Sequence, residues 1–242
     1  MKLHPILLGA TGLAAVVASL HAAGVPGDPP VFSNPTSITN PYHPFVPGRV
    51  KRFESGQGHT DAEVFHNYLP GTRDFAWNGT VVTCRTLQEY ELEDGELAEI
   101  SWNYFAQADD GTVCYFGEVV DIYENGSVVS HDGSWLVGGP MGSDPPETAT
   151  APDPTVFMPD DPQVGDIFKP EDLFPIVDET AEVVRVGRRV HVPAGTFNDC
   201  IQTHESTLLS DDTENKWWAP GIGVIKEKEH GGSLLLEEVI DP

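Results

Sequence analysis

Cations are scarce in this chain of 242 residues: 13 lysines and arginines stand against 38 aspartates and glutamates, a formal net charge of −25. Such a field repels nucleic acid and anionic membrane surfaces, which excludes both as partners and leaves a cationic partner open. Its plain use is solubility. Cysteine is nearly absent, with three residues, so neither a disulfide-dense scaffold nor a Cys-x-x-Cys redox pair can be built. Also missing are a Gly-x-Ser-x-Gly elbow, a His-Glu-x-x-His helix and a glycine-rich phosphate loop ahead of a helix. With 38 acids, two close together are expected by chance, so no glycosidase-like pair can be named. The balance falls against an enzyme, and a hydrolase or isomerase stays only as an alternative.

What is there begins with a leader. Lys2 precedes a largely apolar run from Ile6 to Leu20 that ends among Ala22, Ala23 and Gly24. This reads as a secretory signal peptide over residues 1–24, too short for a comfortable membrane span. No cysteine lies near the cleavage site to carry a lipid. The expectation is a secreted or periplasmic protein with no membrane anchor after processing. A Pro-rich leader follows over residues 25–39, and a stretch rich in Pro, Gly, Ser and Thr over 138–157 reads as a linker loop.

On either side of that loop the chain says one thing twice, over residues 40–137 and 158–242. Gly79-Thr80 and Cys84 recur as Gly195-Thr196 and Cys200, Tyr104-Phe105-Ala106 as Trp217-Trp218-Ala219, and Gly126-Ser127-Val128-Val129 as Gly232-Ser233-Leu234-Leu235. Ala62-Glu63-Val64 likewise matches Ala181-Glu182-Val183. Between the turn signals Asn78-Gly79, Asp94-Gly95, Asp110-Gly111, Asn125-Gly126 and Asp132-Gly133 the residues alternate. The fold class is all-β: a duplicated antiparallel β-meander forming a strongly curved sheet, half-barrel or sandwich. In the strand 100–106, Ile100, Trp102, Tyr104 and Ala106 share one face and Ser101 and Asn103 the other. Cys84 and Cys114 fall two strands apart, beyond the roughly 7 Å that a disulfide spans. That points to a Cys84–Cys200 disulfide with Cys114 free; three reduced, buried thiols are the alternative.

Several motifs resemble a widespread family of uncharacterised exported bacterial proteins. They are Asn40-Pro41-Tyr42 with Pro44, Tyr123-Glu124-Asn125-Gly126, Gly133-Ser134-Trp135, Val192-Pro193-Ala194-Gly195-Thr196-Phe197, and Trp217-Trp218-Ala219-Pro220-Gly221-Ile222-Gly223-Val224. The closing motifs are similar to those of periplasmic lipoprotein carriers, and the resemblance implies their half-barrel fold. It assigns no catalytic residue. The chain departs from the family pattern at His43, His131 and His204.

Three sites compete. Trp102, Tyr104 and Phe105, which correspond in the repeat to Asn215, Trp217 and Trp218, supply aromatics that could line an apolar ligand cavity on a concave face, with Trp102, Tyr104, Trp217 and Trp218 as its candidates, or simply pack a core. This favours an exported binding or scaffolding protein holding a small apolar molecule. Alternatively, His59 and Asp61, two residues apart on one strand face, could join His131 and His204 around Zn²⁺ or Cu²⁺. His66 has the wrong parity to join them. The case for Ca²⁺ is weaker: Asp160-Asp161 and the run Asp211, Asp212, Glu214 and Asn215 lack EF-hand spacing.

Overall fold

Hairpin punctuation at this density turns the chain back on itself before any helix can grow. A computed structural model describes residues 29–56, 61–229 and 232–242. Signal peptide residues 1–24 and His59 lie outside the described residues. Fifteen strands are found among those described: β1 (Val50–Ser55), β2 (Ala62–Trp77), β3 (Thr80–Glu93), β4 (Glu96–Gln107), β5 (Val113–Glu124), β6 (Ser127–Ser130), β7 (Trp135–Val137), β8 (Ala149–Ala151), β9 (Thr155–Met158), β10 (Ile167–Leu173), β11 (Val177–Val192), β12 (Gly195–Ser206), β13 (Thr213–Ala219), β14 (Gly223–Lys228) and β15 (Ser233–Ile240). The turns anticipated at Asn78, Asp94 and Asn125 take the left-handed backbone that such residues tolerate, with φ of 50°, 50° and 51°.

One mostly antiparallel sheet runs β10-β11-β12-β13-β14-β15-β1-β2-β3-β4-β5, continuing to β7 and β8. The all-β expectation holds, and the curvature goes nearly to closure. β9 pairs with β5 on one side, and Thr155 Oγ1 donates to the Pro170 carbonyl of β10 on the other. With β9 counted, twelve strands ring a lumen. Gly117 shows how tightly β7 lies against this wall. Its φ is +116°, and a Cβ there would stand 2.1 Å from the Trp135 carbonyl oxygen.

The repeated segments take the same rank in two runs of consecutive strands: Thr80 and Thr196, each after its glycine, lie at the start of the third strand, and Tyr104 and Trp217 both lie on the fourth. The register agrees too. Leu87 faces Asn103 and Glu89 faces Ser101; at the offsets of the sequence recurrence, Thr203 faces Lys216 and Glu205 faces Glu214. The Ala-Glu-Val recurrence does not share this register. His66 faces Glu89 whereas Ala181 faces Glu205, four residues from the sequence match, because β2 and β11 carry bulges in different places.

Closure also corrects the cysteine expectation. Cys84, Cys114 and Cys200 are all free and buried. Cys84 on β3 and Cys200 on β12 have five strands between them, half-way round the ring. Repeat-equivalent residues therefore stand on opposite walls instead of meeting at an axis between adjacent strands. Burial pushes Cys114 up to about 12, which keeps its thiol protonated.

Apolar packing concentrates at one end. Phe105 stacks on Tyr115 at 4.7 Å between ring centroids, and Phe157 packs against Phe105 at 4.6 Å and Trp218 at 5.9 Å. Fully buried Trp135 on β7 meets Tyr115 edge-on, at 5.2 Å between ring centroids. The opposite end carries the hairpin tips Asp94-Gly95 and Asn125-Gly126 and the loops 174–176 and 207–212, as the alternation of strand direction requires.

Candidate functional site

The lumen of a barrel is lined by alternate residues of every strand, and here those residues are charged. On β3 and β4 the inward positions are Leu87, Glu89 and Glu91 facing Asn103, Ser101 and Glu99. The polar face of β4 thus points inward, and Ile100 and Trp102 turn away. A cavity of about 180 Å³ opens between the walls, lined among others by Glu89, Glu118, Glu171, Glu179 and Glu227, with Lys51 and Lys216 as the lysines. Glu89 shows what kind of space this is. Wall surrounds it on every side, yet its side chain retains 39% of its exposure because it faces the cavity.

The two lysines are held differently. Lys51 is fully buried, donates to the Val224 carbonyl at 2.9 Å and lies 5.1 Å from the centre of the Phe53 ring. Burial pulls it down to about 7, against the pull of Glu227 and Glu89. Lys216 reaches Glu205 at 2.9 Å, Glu214 at 3.4 Å and Glu179 at 4.0 Å. Burial disfavours its charge, but these carboxylates outweigh burial and raise its pKa well above the usual value. Glu205 shows the reciprocal effect: burial pushes it up, yet Lys216 and its hydrogen-bonding neighbours hold it below the ordinary carboxylate range. Trp218 Nε1 donates to Thr203 Oγ1 at 3.0 Å and Thr203 Oγ1 to Glu205 Oε1 at 2.7 Å, which locks this group.

Elsewhere burial outweighs the pull of the lysines on the acids. Burial raises Glu89 to about 7 against the pull of Lys216 and Lys51, and burial, then repulsion from Glu99, raises Glu91 to about 7. Burial and Glu171 raise Glu118 well above its usual value. His66 Nε2 lies 3.4 Å from Glu89 Oε1, but burial keeps the imidazole neutral, so the contact is not an ion pair. His43 lines the cavity with 4% exposure and packs on Phe105 and Phe157, at 4.6 and 4.7 Å between ring centroids. Burial, then Lys51, lowers it to about 3. Its Nε2 has no hydrogen-bond partner among the described residues.

Of the four aromatic candidates, Trp218 lines the cavity. The other three fall on the alternate face. Trp102 pairs across from Gln88 and Val119; Tyr104 accepts from Arg73 at 3.2 Å; Trp217 lies under Lys226 at 4.8 Å. Of the metal set, His131, His204 and Asp61 are among the described residues. His131 sits beside β5, its Nδ1 2.9 Å from the Val120 carbonyl and 2.8 Å from Asp121. His204 is on β12, alternating with the inward Thr203 and Glu205 and far round the ring from β5. Asp61 lies at the start of the first long hairpin, where its carbonyl accepts from the Asp94 amide. Among the described residues no three His, Cys, Asp or Glu side chains are grouped to hold a metal ion. The Ca²⁺ candidates serve as turn or wall residues: Asp212 bonds with Ser210, Asp161 with Gln163, Asn215 with Gln202, and Glu214 with Lys216.

Sequence reasoning missed Glu89, Glu118, Glu171, Lys51, Lys216 and His43 as a group. The signal was present in the alternation of β4, where Ser101 and Asn103 mark a polar face that a closed ring can turn inward.

No family model matches the chain, and no curated protein matches it. Among solved structures, a protein described as exported, with a YMCC-like fold, from Bacteroides fragilis is 13% identical and matches with a TM-score of 0.41, covering 81% of this chain and 99% of that one. A protein described as a lipoprotein, from Parabacteroides distasonis, is 11% identical with a TM-score of 0.40, covering 82% of this chain and 98% of that one.

Proposed function

We propose that this chain is an exported binding protein that holds a small polar molecule in the lumen of its barrel. Export rests on the leader-like residues 1–24. Binding rests on one observation: a cavity of about 180 Å³ on which charged side chains from at least seven strands converge. Buried charge of this kind is costly to maintain in a structure that only needs to fold. The lining favours a polar occupant over the apolar one that the aromatic pattern suggested, because an apolar molecule would leave the carboxyl groups and the orphan imidazole of His43 without partners. A thermal-shift screen of small polar compounds should raise Tm for at least one chemical class, and Leu87→Phe, which narrows the cavity, should weaken the effect. A screen without a hit at millimolar concentration would sink the reading.

A second reading has one observation behind it. Glu118 and Glu171 face the same cavity, and burial raises both; mutual repulsion adds to the shift of Glu118. A protonated acid beside a second carboxyl is the equipment of general acid–base catalysis. A hydrolase or isomerase activity should then vanish in Glu118→Gln with binding retained.

A further inference from the structure

The two copies put the same acid at the same point of the ring and answer it differently. Glu205 has the ammonium of Lys216 at 2.9 Å. By register, Lys216 corresponds to Asn103, and Glu205 to Glu89. Asn103 is uncharged and already committed: its amide donates to Ser101 Oγ at 3.0 Å, and its carbonyl accepts from the Tyr115 hydroxyl. Lys51 faces the same cavity and attracts Glu89, but it makes no ion pair with it, and its ammonium donates to the Val224 carbonyl. The first copy thus keeps one acid of the Lys216 nest, Glu89, with Ser101 where Glu214 stands and no lysine on its own strand pair, and the cavity lies in front of it.

A second observation is independent of the acids. His43 is 4% exposed, lines the same cavity, and leaves its Nε2 without a hydrogen-bond partner among the described residues. A buried polar atom in that condition costs free energy unless something occupies the space in front of it. A neutral imidazole nitrogen can accept a hydrogen bond from an ammonium group without repelling it.

We propose, on the lumen-binding reading above, that the occupant is a small primary amine. Its ammonium takes in the first copy the place that Lys216 holds in the second, with Glu89 and Glu118 as carboxyl partners that release their protons to solvent when it binds and His43 Nε2 as a neutral acceptor. Its carbon chain lies toward Leu87, Phe157 and Trp218. The lining has room for the charge: it carries five glutamates against two lysines.

Isothermal titration calorimetry of the folded chain with n-butylammonium, n-butanol and n-butyrate tests this. The amine should bind at least tenfold more tightly than the alcohol, and butyrate should not bind. Asn103→Lys, which supplies an internal ammonium, should abolish amine binding. Glu89→Gln, an isosteric change that leaves folding intact, should weaken it at least tenfold. Binding of the alcohol or of butyrate as tight as that of the amine would overturn the amine and leave lumen binding standing. Amine binding unchanged in Glu89→Gln would also overturn it. No heat with any of the three at millimolar concentration would overturn both.

Discussion

Glu89 and Glu205 stand at equivalent points on opposite walls of one barrel, and their acidities have moved in opposite directions. Burial pushes Glu89 up to about 7, while Lys216 holds Glu205 below its usual range against the same burial. The scaffold is common to both: third strand, inward face, matched register with the fourth. The neighbour differs, asparagine in one copy and lysine in the other. Backbone geometry therefore sets where a carboxylate can be, and one side chain across the strand pair decides whether it stays charged. The wall without a lysine of its own faces the same cavity as His43.

The comparison breaks most visibly if the lysine is removed. Lys216→Met should leave Glu205, Glu179 and Glu214 facing one another without a cation, at a cost of about 3–5 kcal/mol at pH 8. Urea denaturation measures it. A change below about 1 kcal/mol would mean that the acids already balance themselves by sharing protons.

Glu205→Gln should cost about 2 kcal/mol, less than loss of the lysine because Glu214 and Glu179 can still turn to Lys216. The same change on the other wall should have the opposite sign. Glu89 binds its proton more tightly folded, at about 7, than at its ordinary 4.5. Its contribution to stability is therefore full below pH 4.5, declines as pH rises from 4.5 to 7, and is gone above 7. Glu89→Gln should leave stability unchanged at pH 4 and raise it at pH 8. The gain should stay under about 1 kcal/mol, because water in the cavity screens a side chain that is 39% exposed. Denaturation curves at the two pH values decide. Loss of stability at pH 8 would show that Glu89 already has a cation.

The smallest expected signal concerns the other equivalent pair. Cys84 and Cys200 are too far round the ring to bond, so alkylation of the urea-unfolded chain without reductant should label three thiols. Two unlabelled cysteines that peptide mapping identifies as Cys84 and Cys200 would bring the equivalent positions together and undo the ring as described.

Much of this architecture was legible locally. Asn78-Gly79, Asp94-Gly95 and Asn125-Gly126 announced hairpins, because left-handed turn backbone selects those residues wherever they occur. The recurrence of Gly79 to Cys84 as Gly195 to Cys200 fell on strands of equal rank. The site was less legible. Trp218 was found through its aromatic neighbours and does line the cavity, but Trp102, Tyr104 and Trp217 were drawn in by the same signal and lie on the other face. His131 and His204 stood out by residue type, and they sit on distant parts of the sheet.

Alternation and turn chemistry by themselves determined strands and hairpins, since each depends on residues within a few positions of one another. Which face of β4 points inward was decided only by closure. Alternation shows that Ser101 and Asn103 differ from Ile100 and Trp102, but it assigns the inside correctly only when the inside is apolar. Here β9, bridging β5 to β10, closes the ring around a polar lumen. That long-range contact sets Glu89, Glu118, Lys216 and His43 around one cavity, although they are scattered over more than 170 residues of chain.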